Sequence, residues 1–206
     1  MNLLLTGLGL VAIFYIIDKQ LVKVDTTLAL SKREAYMMSG IMILFSFLLL
    51  CKYGLHFFYG AYLYLAFYLC LTAYTDKKRA QVFCIFNYIS LLIGIVCYIY
   101  RLFHGLNRTI ALPALILVMF SLFLANRFHL YADGDGEIFL VIAMFLLFSD
   151  TGTDCVFYFY MVYLLAMAII STVHHKSIDK ETKKFKTPIP FGPSIFAATM
   201  IILLIM

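Results

Sequence analysis

Apolar runs close to membrane length follow one another along almost the whole chain, and no other feature limits its fold as strongly. Eight can be drawn, over residues 3–17, 36–51, 55–75, 82–100, 111–128, 133–149, 156–173 and 191–206. A helix needs ~20 residues to cross the hydrocarbon of a bilayer, and about 17 is a practical lower limit. Within lipid each backbone N–H and C=O must find a partner, which leaves only helices and closed barrels as spanning structures. These runs are continuous rather than alternating, so the expected fold is all-α, a polytopic membrane protein with about eight transmembrane helices. Composition agrees, with 64% hydrophobic and 13% charged residues, where a soluble domain carries roughly a quarter charged. At this length residues 1–206 form a single membrane-embedded domain. The run 3–17 lacks the basic lead-in of a cleavable signal peptide and is expected to stay as a first helix.

The sixth run departs from the others. It is purely apolar only over 138–148, too short to span, and reaches spanning length only if its helix begins near Asp133. The helix then takes in Asp133-Gly134-Asp135-Gly136-Glu137. Asp135 falls on or just before the first helical turn, at headgroup depth, where the helix N-terminus favours negative charge. Carboxylates at a bilayer edge are costly to desolvate and mark a functional site by default. The two glycines permit unusual backbone angles and close approach of another chain.

Lys and Arg set the orientation. Loops holding Lys19, Lys23, Lys32, Arg33, Lys77, Lys78, Arg79, Arg127, Lys176, Lys180, Lys183, Lys184 and Lys186 alternate with loops holding only Lys52, Arg101 and Arg108. The first set is therefore expected in the cytoplasm. The formal charge of +5 is accounted for by these topology signals, and no nucleic-acid partner is expected. On this orientation Asp76, in Ala73-Tyr74-Thr75-Asp76-Lys77-Lys78-Arg79, ends the third run on the cytoplasmic side. Two spans later Asp135 opens the sixth run on the same side. Asp76 could also be a helix-end acid paired with Lys77 or Arg79, and Asp135 could belong to a solvated turn.

Two carboxylates brought together have a defined chemistry. Like charges at close range do not both ionise cheaply, so one keeps its proton. The ionised member can take a proton from water while the protonated member polarises a peptide carbonyl, the logic of aspartic proteases.

The ordered set of Asp76 followed by basic residues, Ala132-Asp133-Gly134-Asp135, and Pro188-Ile189-Pro190-Phe191-Gly192-Pro193 resembles the type IV prepilin peptidases, membrane aspartyl proteases of the Gly-x-Gly-Asp type that process prepilins and archaeal preflagellins. The resemblance covers roughly residues 55–206, with 1–54 as two additional N-terminal helices. It implies Asp76 and Asp135 as the catalytic pair. Gly134 and Gly136 in one segment, and Pro190, Phe191, Gly192 and Pro193 in the other, are candidate substrate contacts, and the charge of Asp133 and Glu137 adds these two as contacts for a basic leader. The implied substrates are prepilin-like or pseudopilin-like membrane proteins, cut after a basic leader at the cytoplasmic face of the cell membrane. No cofactor or metal is implied. The chain differs from the family pattern in carrying Ala132 for the first Gly, Glu137 where a Lys is frequent, and no Ile-Pro after Asp76. The cysteine-rich loop of the bifunctional family members is absent, so methyl transfer to the product is not expected.

Other signals are weaker. Asp150-Thr151-Gly152 spells the triplet of soluble aspartic proteases but occurs once, between helices. The acidic loop fails the EF-hand spacing, since Ile138 and Met144 fall where Gly and Glu are required. His174-His175 has no third ligand at useful spacing, and the five cysteines include no C-x-x-C pair. The alternative function for the same acids is an ion- or proton-coupled transporter. Such sites sit near the midplane, often between inverted repeats, and the acids here lie at one edge.

Overall fold

A computed structural model of the chain describes residues 26–79, 83–128, 133–149, 154–174 and 189–206, with scattered positions between 9 and 23. Seven α-helices have defined limits, and among the described residues there is no strand: α1 (Lys32–Tyr53), α2 (Phe57–Arg79), α3 (Cys84–Phe103), α4 (Arg108–Arg127), α5 (Asp133–Leu147), α6 (Asp154–Val173) and α7 (Gly192–Ile205). A 3-10 turn, Thr26–Leu28, precedes α1. The expected first run, 3–17, lies largely outside the described residues; Gly9, Ala12 and 15–17 within it are helical.

Local chemistry sets the helix limits. α1 starts at a capping box: the Ser31 side chain accepts from the Glu34 N–H, and Glu34 Oε2 accepts from the Ser31 N–H at 2.9 Å. Two backbone donors are thereby satisfied at one end. The helix stops at Gly54, whose φ of 62° is available to glycine at little cost and whose N–H returns to the Leu50 carbonyl. The Asn107 side chain caps α4 through the Thr109 N–H. Several helices run past their apolar runs into Lys and Arg, which can lay their stems along apolar surface and keep the charge in water.

Burial divides the helices into two shells. In α2 the most apolar window is 78% buried, against 17–22% in α1, α3, α4 and α6. Residues 138–147 of α5 are all buried except Leu140. In α7 the buried set runs from Gly192 to Leu203 on most of its circumference. α2, α5 and α7 are thus the inner helices, and α1, α3, α4 and α6 the outer ones. The most extensive packing is α2 on α7, followed by α7 on α6 and α5 on α3. The α3–α5 approach is close: a Cβ at Gly94 would fall 2.8 Å from the Met144 Cβ.

The outer helices turn large apolar side chains outward, among them Phe47, Ile85, Leu92, Phe120, Phe123 and Leu164. A water-facing protein rarely exposes apolar patches beyond a few hundred Å². α1, α2, α3, α4 and α6 have 20 to 23 residues each and are long and apolar enough to cross a membrane, which makes this a multi-pass membrane protein. α5 and α7, with 15 and 14 residues, rise only ~22 Å. Because they are enclosed by other helices, neither has to meet lipid over a full bilayer thickness.

Candidate active site

α2 delivers Asp76 to its C-terminal end and buries it, with 6% of its surface exposed. The carboxylate is held by the start of α7: the Gly192 N–H donates to Asp76 Oδ2 at 2.7 Å. The local sequence explains this contact. The first N–H groups of a helix have no intrahelical acceptor and carry the positive end of its dipole. Pro193, within the first turn of α7, lacks an N–H and has a backbone angle suited to a helix start. Gly192 gives the closest approach, since a Cβ there would stand 3.1 Å from the Ala73 Cα and from Asp76 Oδ2. The neighbouring cation Lys78 is engaged elsewhere, its Nζ lying 2.9 Å from Glu34 Oε1. Asp76 is therefore held by a backbone N–H of a distant segment, 116 residues away.

Asp135 lies within α5 and is half-buried, so the helix extends back to the acids as the length requirement of that run demands. Residues i and i+4 share a helix face, so Asp135 lies above Phe139. Phe139 is fully buried and its ring meets Phe191 edge-on, centroids 6.1 Å apart. Phe191 is the residue immediately before Gly192. Phe139 thus links α5 to the chain turn that holds Asp76, and its ring also meets Tyr163 and Phe159 of α6, at 5.4 and 6.5 Å. Gly134, Gly136 and Pro190 are half-buried, and Gly136 lines a cavity between α4 and α5. Asp133 begins α5, and its side chain lies outside the described residues, as do Ala132, Pro188 and the triplet at 150–152.

Glu137 points away from this junction. Its Oε2 accepts from Asn87 Nδ2 of α3 at 2.7 Å, and Asn87 Oδ1 accepts from the Tyr68 hydroxyl of α2 at 2.7 Å. One turn deeper, the Tyr64 and Ser90 hydroxyls pair at 2.8 Å. Neither Asn87 nor Tyr68 was among the expected site residues. The available signal was a polar Asn inside the apolar run 82–100, where burial demands a partner.

Two cavities open beside these groups. One of about 300 Å³ lies among α1, α2 and α7, lined by Met37, Met38, Ile41, Cys70, Tyr74 and Phe196, with Glu34, Lys77 and Lys78 also in its wall. Ala73 and Pro193, which flank the Asp76–Gly192 contact, line it too. The second, about 330 Å³, lies between α4 and α5 and includes Glu137.

No family model, no curated protein and no solved structure matches this chain. Its class rests on the fold alone: a helical multi-pass membrane protein, with a carboxylate buried where two inner helices, α2 and α7, meet.

Proposed function

We propose that the protein is a membrane aspartic endopeptidase that removes the basic leader from prepilin-like proteins at the cytoplasmic face of the membrane. The observation that carries this reading is the junction of α2, α5 and α7. Asp76 is buried against the Gly192 N–H, and the Asp135 face of α5 packs through Phe139 on the adjoining Phe191. Two of the sequence segments that resemble the prepilin peptidases meet in the Asp76–Gly192 contact, and Phe139, one turn on from Asp135 of the third, meets Phe191.

The chemistry is hydrolysis by a shared-proton pair. The ionised carboxylate takes a proton from water, and the water oxygen bonds to the scissile carbonyl carbon. The protonated carboxyl gives its proton to the carbonyl oxygen. The tetrahedral species then collapses, the C–N bond breaks, and the leaving amine takes a proton. Low water access at a buried Asp76 strengthens the electrostatic part of this sequence. The Gly192 N–H fixes the orientation of one carboxylate, which is the positional control such chemistry needs.

The substrate is itself a hydrophobic helix, so it can arrive sideways through the bilayer. The groove among α1, α2 and α7 is lined by Ala73 and Pro193, which flank the Asp76–Gly192 contact, and its methionines adapt to varied apolar shapes. The position of the acids at one end of the helix bundle favours peptidase over transporter, which would place them near the midplane. The test is processing of a co-expressed single-span substrate with a basic leader. Asp76→Asn and Asp135→Asn are each expected to abolish cleavage while the protein accumulates in the membrane, and Asp133→Asn is expected to retain it. Full activity in either of the first two removes that residue from the pair.

A further inference from the structure

Glu137 is two residues from Asp135, and successive residues of an α-helix turn by ~100°, so the two side chains leave α5 on nearly opposite faces. The face of Glu137 borders the α4–α5 cavity of about 330 Å³, whose other lining residues are Met119, Leu122, Phe123, Asn126, Gly136 and Leu140. Phe123 is 63% exposed, so the cavity lies against the outer surface of the bundle. Its walls are apolar apart from Asn126 and Glu137.

The carboxylate in this cavity is fixed from behind. Asn87 and Tyr68, each 2% exposed, form a two-step chain of 2.7 Å bonds that ends on Glu137 Oε2. The chain crosses three helices, α2, α3 and α5. Among the described residues no donor meets the second oxygen, Oε1, and no cation pairs with Glu137. An oriented carboxylate with an open edge, at the end of an apolar slot, suits one chemistry: an aliphatic stem that ends in a cation. Lysine and arginine have that form.

We propose that the α4–α5 cavity is the subsite for a lysine or arginine of the substrate's leader, with Glu137 reading its charge and Asn87 and Tyr68 acting as positioning residues. This rests on the peptidase reading for the identity of the ligand. It also fixes a register. A helix with its side chains is about 10–12 Å across, and an extended chain advances ~3.3–3.6 Å per residue. A leader passing from Glu137 to the Asp135 face therefore needs about three to five residues, so the cation read by Glu137 precedes the scissile bond by that interval.

The experiment uses the full-length protein in membranes and a single-span substrate whose leader lysines are changed to glutamine or glutamate one at a time. The wild type is expected to favour the basic over the neutral leader about five-fold in KM, the equivalent of ~1 kcal/mol. Glu137→Gln is expected to lose this discrimination, and Glu137→Lys to regain cleavage efficiency with a glutamate three to five residues before the cut. Asn87→Ala should weaken the discrimination as well, whereas a general loss of packing would slow basic and neutral leaders alike. In the cleavage-dead Asp76→Asn background, a photoreactive residue at position 123 should cross-link the leader, and less so when its lysines are neutralised. Charge-dependent cross-linking without any cleavage by the wild type supports the subsite while removing the peptidase reading. Cleavage that ignores leader charge in every variant, or cross-links from position 123 to lipid alone, overturns the subsite and leaves the peptidase reading standing.

Discussion

Gly192→Ala is the sharpest small perturbation of the site. The added methyl would stand 3.1 Å from the Ala73 Cα, 3.1 Å from Asp76 Oδ2 and 3.2 Å from the Asp76 Cβ. Non-bonded carbon contacts are comfortable near 3.5–4.0 Å, so α2 and α7 must part by roughly 0.5 Å or Asp76 must rotate away. Overpacking of this kind costs about 1–3 kcal/mol. Either response stretches the 2.7 Å bond that orients Asp76. Misplacement of a catalytic group by a fraction of an ångström to an ångström is worth ~10- to 100-fold in rate. Two other glycines separate the causes. At Gly94 a methyl would come within 2.8 Å of the Met144 Cβ, between α3 and α5; Gly94→Ala should lose stability of the same order but keep its rate per folded molecule. Gly60 has nothing within 4 Å, so Gly60→Ala should be neutral or slightly stabilising through helix propensity. Thermal unfolding in detergent and cleavage rates per folded molecule measure both quantities. A Gly192→Ala protein with wild-type rate would refute the claim that the close approach of α7 positions Asp76.

Three further outcomes are expected. The Lys78–Glu34 pair has side chains 29% and 30% exposed, so Glu34→Gln should cost no more than ~1 kcal/mol and less in high salt; a salt-independent loss well beyond that in thermal unfolding would contradict this. In a background without native cysteines, Lys77→Cys and Lys183→Cys should resist an impermeant thiol reagent added to intact cells, and Arg101→Cys should react; labelling at 183 from outside would invert the orientation. Incubation of the protein, its substrate and S-adenosylmethionine should leave the mass of the new N-terminus unchanged, and a gain of one methyl group that depends on this protein alone would show otherwise.

The sequence was informative where hydrophobic length decides the outcome. Seven apolar runs correspond to the seven bounded helices, and the demand for length carried the helix of the sixth run back through its acids, where Asp133, Asp135 and Glu137 are helical. Helix ends were less legible. α1 begins at Lys32 rather than 36 because the Ser31–Glu34 capping box carries it further, and that Ser-x-x-Glu spacing was there to be read. The order of burial was hidden. Runs that are apolar all round do not say which face meets lipid, so the shorter α5 and α7 gave no sign that they are inner helices. The partner of Asp76 was hidden as well, because Gly192 is 116 residues away and the contact depends on the α2–α7 crossing. Tyr68, Asn87 and Glu137 are likewise joined only by helix packing, across separations of 19 and 50 residues.

The central claim is that Asp76 and Asp135 face one another across the α2–α5–α7 junction. In a protein freed of its native cysteines, Asp76→Cys would be paired in turn with Asp133→Cys, Asp135→Cys and Glu137→Cys, and each pair exposed to the shortest thiol-to-thiol cross-linkers in native membranes. The dyad geometry, with carboxylates roughly 3 Å apart in the active pair, predicts rapid cross-linking of 76 to 135 and little of 76 to 137. Efficient cross-linking of 76 to 137, with none to 135, would put the wrong face of α5 toward Asp76 and contradict the account.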